Sequence, residues 1–107
     1  MIEYKTKEIR AEQAKLRSPA SFLLYTLGFL QRVQTGKRAV VTAIIAGPHM
    51  KTSMHWEGRA FDLRSKHLEN DEKQAFLSLS SFVVGIFGGK VLLEQPGDPN
   101  EHFHIQA

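Results

Sequence analysis

The chain has 107 residues, a formal net charge of +3 and no cysteine. This length supports one hydrophobic core but not two, so we predict a single domain over residues 1–107. Without cysteine, any metal would have to be held by His, Asp or Glu. The basic residues are scattered along the chain rather than clustered, which predicts no nucleic-acid partner.

Residues 1–17 have a helix-forming composition with few apolar positions and predict a weak helix or an arm. They contain no apolar segment of the kind that secretory signals carry. The longest apolar-rich stretch, ASFLLYTLGFL, has eleven residues, about half of the ~20 needed to cross a bilayer. We therefore expect a protein made in the cytoplasm, without a signal peptide or a transmembrane segment.

A core-facing helix is predicted after Ser18 and Pro19, because serine caps helix starts and proline is tolerated at the first helical position. Apolar residues then recur at helical spacing as far as Gly36, a residue typical of helix ends. The positions expected to pack into the core are Phe22, Leu23, Leu27, Phe29, Leu30 and Val33.

Four later segments are typical of strands: 38–45, 59–64, 90–95 and 102–106. Between the second and third, a helix is predicted to begin at Asn70, since acidic residues follow it in the first turn. Its expected core positions are Phe76, Leu79, Val83 and Ile86. This order predicts an α+β fold, with a small, mainly antiparallel four-stranded sheet flanked by two to three helices.

Side-chain alternation gathers polar residues on one face of two predicted strands. Asp62 lies on the polar face of 59–64, and His102 and His104 lie on the polar face of 102–106. If these faces adjoin, Asp62 meets His104. His55 stands just before Gly58, which allows a sharp turn into the strand. Two histidines and a carboxylate can hold a catalytic zinc ion with one position left open.

The paired segments SMHWEGRAFD (53–62) and EHFH (101–104) resemble the zinc D-alanyl-D-alanine peptidases. This family includes D,D-carboxypeptidases, D-Ala-D-Ala dipeptidases and phage L-alanyl-D-glutamate endolysins, and it shares its fold with the hedgehog signalling domain. The resemblance covers about residues 40–106. It implies a hedgehog/DD-peptidase-like fold and one Zn²⁺ per chain, held by His55, Asp62 and His104.

The same resemblance implies a residue that handles the proton. This is Glu101 if the chain follows the members with an E-x-x-H pattern, and His102 if it follows those with an H-x-H pattern. The sequence satisfies both patterns, so the assignment stays open. A carboxylate is the more competent proton acceptor, which favours Glu101.

Substrate contacts are expected from the segment around the first motif. Many family members carry an arginine there for a substrate carboxylate, whereas this chain reads AGPHMKTS. Lys51 or His49 could substitute, although a lysine lacks the bidentate guanidinium fork. Ser53 would orient the loop or contact the substrate, and Trp56 would either wall the groove or pack as an ordinary aromatic.

The resemblance implies a zinc metallopeptidase, a D-Ala-D-Ala carboxypeptidase or endopeptidase-like hydrolase that cuts a peptide bond in bacterial peptidoglycan stem peptides. Such an enzyme would serve a phage or virus in cell-wall degradation, acting after release or as a virion component. The alternative is an inactive, zinc-containing module of the same fold that binds the cell wall or a protein. The missing arginine is the main support for that alternative.

Overall fold

A computed structural model describes residues 2–44 and 58–107, and within them three helices pack against a five-stranded sheet. In chain order the elements are β1 (Ile2–Tyr4), α1 (Lys7–Glu12), a 3-10 turn (Gln13–Lys15), α2 (Ala20–Thr35), β2 (Ala39–Ala43), β3 (Ala60–Arg64), α3 (Asn70–Ile86), β4 (Lys90–Glu94) and β5 (His102–Gln106). The predicted α+β class is confirmed. No helix in these described ranges is both long and apolar enough to cross a membrane.

The sheet has the strand order β1-β2-β3-β5-β4. β1 pairs with β2 in parallel, whereas the other three pairings are antiparallel. The prediction of a four-stranded, mainly antiparallel sheet is therefore wrong in strand number, and the sheet is mixed. The missing strand is β1, which lies in the predicted arm and has only three residues, too few to show an alternating pattern.

The four predicted strands are confirmed as β2 to β5, and alternation gives β3 and β5 one apolar face each. Phe61, Leu63, Phe103 and Ile105 are fully buried on this face. The ring of Phe103 meets the edge of Phe76 from α3 at 5.1 Å between ring centroids. The core therefore lies between the helices and this face of the sheet. Within the described ranges, the opposite face of the sheet does not pack against the helices.

Helices α2 and α3 run antiparallel to each other, as contacts at their two ends show. The ring of Phe22, at the start of α2, lies 5.7 Å from that of Phe87, just beyond α3. At the other end, Lys37 Nζ lies 2.7 Å from Glu72 Oε1 in the first turn of α3. The two helices consequently present their outer surfaces side by side.

The start of α3 was predicted correctly, whereas the start of α2 was not. α2 begins at Ala20, with Pro19 in the capping position and no side-chain cap, so the prediction that Ser18 caps it is wrong. α3 begins at Asn70 as predicted. Its start is held by a capping box: the side chain of Glu69 accepts the backbone N–H of Glu72, and the side chain of Glu72 accepts the backbone N–H of Glu69.

The predicted core stripes were only partly correct. On α2 the residues packed into the core are Ala20, Leu23, Leu24 and Leu27, and on α3 they include Phe76 and Val84. Four predicted core residues are exposed instead: Phe22, Phe29, Val33 and Ile86. Each helix has apolar residues on two opposite sides, and helical spacing alone does not show which side faces the sheet.

Gly58, which the sequence predicts to allow a sharp turn into the strand, has a left-handed backbone conformation with φ +71°. A Cβ there would lie 2.4 Å from the carbonyl oxygen of Lys15, and the Gly58 carbonyl accepts the backbone N–H of Arg17 at 2.7 Å. We expect Gly58→Ala to lower the free energy of unfolding by about 2–4 kcal/mol, through left-handed strain and the close contact.

Urea unfolding of the two alanine variants Gly58→Ala and Gly85→Ala checks this. Gly85 lies in α3, where an added Cβ meets no heavy atom within 4 Å, so alanine there should be neutral or stabilising by up to ~1 kcal/mol. Equal unfolding midpoints for the two variants would contradict the close approach of Gly58 to Lys15.

Candidate functional site

The face of the sheet opposite the core carries three rows of paired residues across β3, β5 and β4. In the order of these strands the rows are Ala60–Gln106–Lys90, Asp62–His104–Leu92 and Arg64–His102–Glu94. Since side chains of paired antiparallel residues point to the same face, the polar groups of these rows lie together. The sequence predicts that Asp62 meets His104 if the two polar faces adjoin, and the two residues are paired in the sheet.

Asp62 and His104 form the centre of the arrangement. His104 Nδ1 lies 3.1 Å from Asp62 Oδ1, and both residues are largely buried. The hydrogen bond with Asp62 raises the pKa of His104 above its usual value, against the opposing effect of burial. A buried carboxylate therefore sits directly against one nitrogen of a buried imidazole.

The other nitrogen of His104 has its own partner. His104 Nε2 lies 2.8 Å from Gln106 Oε1, an oxygen that can only accept a hydrogen bond. Nε2 therefore donates a hydrogen to Gln106. Asp62 Oδ1 also only accepts, so Nδ1 donates the hydrogen of the bond between them, and a metal ion held by Nδ1 would take the place of that hydrogen. A hydrogen bond on the far nitrogen is the usual way in which proteins orient a histidine that binds a metal.

Asp62 and His104 offer a carboxylate oxygen and an imidazole nitrogen, which are donor types that zinc binds. Zinc–nitrogen and zinc–oxygen bonds of about 2.0–2.2 Å in a tetrahedral site put neighbouring ligand atoms roughly 3.3–3.5 Å apart. The Nδ1–Oδ1 separation of 3.1 Å is close to that requirement. Within 2–44 and 58–107, no group of three or more His, Asp or Glu is arranged to hold a metal. The third implied ligand, His55, lies outside the described residues.

His102 lies one row away from His104 and faces three oxygen atoms. Its Nδ1 is 2.7 Å from the carbonyl oxygen of Asn100, which only accepts, so Nδ1 donates a hydrogen. Its Nε2 is 3.0 Å from Glu94 Oε1 and 3.5 Å from Asp62 Oδ2. This nitrogen is thus positioned between two carboxylates, one of which is that of Asp62, a predicted zinc ligand.

Glu101 occupies a different environment. It stands one residue before β5, in step with Phe103 and Ile105, which face the core. Oε1 accepts the Ser65 hydroxyl at 2.6 Å and lies 2.7 Å from Lys73 Nζ, while Oε2 accepts the backbone N–H of Gly97 at 2.9 Å. The structure does not bring Glu101 to Asp62 and His104.

These contacts lower the pKa of Glu101 from 4.5 to about 2, chiefly through the hydrogen bonds with Lys73 and Ser65. We expect Glu101→Gln to lower the free energy of unfolding at neutral pH by roughly 3 kcal/mol, because it leaves Lys73 without its carboxylate in a largely buried site. The exposed Glu8→Gln should change it by less than about 0.5 kcal/mol.

The pH dependence of this stabilisation has a definite direction. Because the folded chain holds the Glu101 proton more weakly than the unfolded chain, the stabilisation is complete above about pH 4.5 and disappears as the pH falls towards 2. Urea titrations between about pH 7 and about pH 3 should show the wild type and Glu101→Gln converging in stability. A constant difference between them would exclude ionised Glu101 as its source.

The remaining predicted site residues cannot be placed. Lys51, Ser53, His55 and Trp56 all belong to the segment 45–57, which lies outside the described residues, as does His49. The chain leads into this segment from a position next to the site, because Ala43, the last residue of β2, pairs with Asp62. Their predicted roles therefore remain predictions.

Two further residues, Gln106 and Glu94, belong to this arrangement. From the sequence, Glu94 is either a partner that fixes a ligand histidine or, as the favoured interpretation, a surface charge, and Gln106 shares the polar face of 102–106 without an assigned role. Each contacts a histidine of β5: Gln106 contacts His104, and Glu94 contacts His102. The signal that could have found them is the antiparallel pairing of 90–95 with 102–106, which sets Glu94 opposite His102.

Comparison with known proteins provides no family assignment. No protein-family model matches the chain, and no curated protein sequence matches it either.

Proposed function

We propose that this protein is a zinc metallopeptidase that hydrolyses a peptide bond in bacterial peptidoglycan stem peptides. The observation that carries the proposal is the paired placement of Asp62 and His104, with Nδ1 and Oδ1 3.1 Å apart and Gln106 on the far nitrogen. The substrate class comes from the resemblance of the two motifs to the zinc D-alanyl-D-alanine peptidases. His55 of the first motif would complete the ligand set.

Asp62, His104 and His55 would hold one zinc ion. When bound there, zinc would make water a nucleophile near neutral pH and polarise the carbonyl group of a peptide bond. Gln106 would keep the hydrogen on Nε2 of His104 while zinc took the place of the hydrogen on Nδ1. The hydrogen bond between Nδ1 and Asp62 Oδ1 already holds these two atoms about as close together as two ligands of one ion would be.

The described contacts favour His102 over Glu101 as the residue that moves the proton. Nε2 of His102 lies 3.5 Å from Oδ2 of Asp62, beside the proposed metal position, and Glu94 orients the ring. Both oxygens of Glu101 are engaged by Ser65, Lys73 and Gly97. We therefore assign the proton transfer to His102 Nε2, with Glu94 as its positioning residue.

A second function remains in competition because of one sequence observation. The segment AGPHMKTS has no arginine for a substrate carboxylate. A zinc-containing module of the same fold that binds the cell wall without cutting it would not need one. This alternative shares the zinc site with the peptidase, so only turnover separates the two.

The test is release of new amino groups from purified peptidoglycan by the zinc-loaded protein. Soluble stem peptides ending in D-Ala-D-Ala, and others containing the L-Ala-D-Glu bond, should be assayed beside the intact wall. The peptidase proposal expects amines from at least one substrate, and their loss after chelation. Tight zinc binding without release from any of them would favour the binding module. Absence of zinc binding would overturn both.

A further inference from the structure

The outer surface of the helix pair is apolar and exposed to an unusual extent. Seven large apolar side chains there are between 44% and 71% exposed. They are Phe22, Tyr25, Phe29 and Val33 from α2, Phe82 and Ile86 from α3, and Phe87 just beyond α3. Apart from Leu92 on the sheet, these are all the exposed large apolar side chains in the described residues. We call them the helical apolar face.

This face is continuous across the two helices. On α2, Phe22, Tyr25, Phe29 and Val33 follow one another at three- and four-residue steps, which places them on a single stripe. The tilted ring contact between Phe22 and Phe87 joins that stripe to α3 at 5.7 Å between centroids. Since the helices are antiparallel neighbours, the stripes form one surface rather than scattered exposed residues.

The area of the face distinguishes it from ordinary apolar surface. With about 200 Å² for a fully exposed aromatic side chain, the seven residues expose on the order of 700 Å². The largest apolar patch on a monomer is typically about 300–600 Å². A stable protein interface buries about 800 Å² on each partner. The helical apolar face therefore matches one half of a standard interface and exceeds what a monomer usually exposes.

Charge decides which partner fits. No charged residue lies between Arg17 and Arg32, or between Lys73 and Lys90. Arg32 donates a hydrogen bond to the carbonyl of Gly36 at the end of α2. A surface helix that binds membranes usually carries several Lys or Arg beside its apolar face, and these helices do not. A charged protein partner would find no complementary group here.

We propose that the helical apolar face is the interface of a symmetric homodimer. In a two-fold dimer the same face meets itself, so charges near the symmetry axis would be brought close to like charges. A face without charge incurs no such repulsion. The two helix pairs would form the central layers, with one sheet on each outer side. The sheet face that carries Asp62 and His104 would remain outside the interface, because it lies opposite the helices.

Sedimentation of the 107-residue chain over a range of micromolar concentrations tests this proposal. The wild type should sediment with about twice the 12.1 kDa mass of one chain. Phe82→Lys and Val33→Lys change the most exposed face residue of α3 and of α2. Each should weaken dimerisation at least about tenfold, because each would bury an unpaired charge in the interface.

The matched control is Gln74→Lys, which adds the same charge to an exposed position of α3 outside the face. It should dimerise as the wild type does, and all four proteins should have the same circular-dichroism spectrum, which shows that each is folded. A wild type that stays monomeric overturns the proposal. If that monomer cosediments with phosphatidylcholine–phosphatidylglycerol vesicles, a lipid surface occupies the face instead. If all the variants dimerise as well as the wild type, the interface lies elsewhere on the protein and the proposal is wrong.

Discussion

Replacement of His104 by alanine should remove the bound zinc and, with it, all measurable peptidoglycan hydrolysis. His104 supplies one of the three proposed ligands, and its Nδ1 and Asp62 Oδ1 are the two described donor atoms, 3.1 Å apart. With only Asp62 and His55 left, the site would no longer have the three protein ligands typical of catalytic zinc. Elemental analysis after dialysis should show about one zinc per wild-type chain and close to none in the variant.

Gln106→Ala provides an intermediate case. It leaves all three ligands in place but removes the acceptor that lies 2.8 Å from His104 Nε2. Loss of such a partner typically weakens metal affinity by about 10–100-fold. The exposed Gln74→Ala should bind zinc as the wild type does. If His104→Ala holds as much zinc as the wild type, His104 is not a ligand and the proposed function fails with it.

The fold was predictable where a local pattern determines the structure. β2 to β5 follow from β-branched or alternating segments, and α3 from its acidic first turn, because these signals lie within a few neighbouring residues. The pairing of Asp62 with His104 also follows, since each lies on the polar side of its strand. In contrast, β1 forms only by pairing with β2, more than thirty residues later, and its three residues carry no signal of their own.

The choice between helix faces and between proton carriers could not be made from sequence. Both stripes of α2 are apolar, so only packing shows that Leu23 and Leu27 face the core while Phe29 faces outward. Glu101 and His102 are adjacent and satisfy both family patterns. What separates them is a set of distant partners, since Ser65 and Lys73 hold Glu101 while Glu94 orients His102. Such partners are set by tertiary contacts that local patterns do not encode.

The competition between these two residues can be decided by matched glutamine variants. His102→Gln removes the ring whose Nε2 lies 3.0 Å from Glu94 Oε1 and 3.5 Å from Asp62 Oδ2, and it changes no proposed ligand. We expect it to retain zinc and lose hydrolysis by roughly 10²–10⁴-fold, the usual effect of removing a group that transfers a proton. Glu101→Gln should lose stability yet keep, per folded molecule, nearly the activity of the wild type.

Zinc content, urea stability and initial rates on one peptidoglycan preparation should therefore be measured together for the wild type and both variants. The rates must be taken at neutral pH and low temperature, where Glu101→Gln remains folded despite the loss of the carboxylate that pairs with Lys73. A folded, zinc-loaded Glu101→Gln without activity, beside an active His102→Gln, would make Glu101 the base. That result would mean that the Ser65 and Lys73 contacts hold Glu101 only until substrate binds. We expect the opposite result, an active Glu101→Gln and an inactive His102→Gln. The contacts of Glu101 would then serve only to stabilise the fold, by joining the segment before β5 to α3.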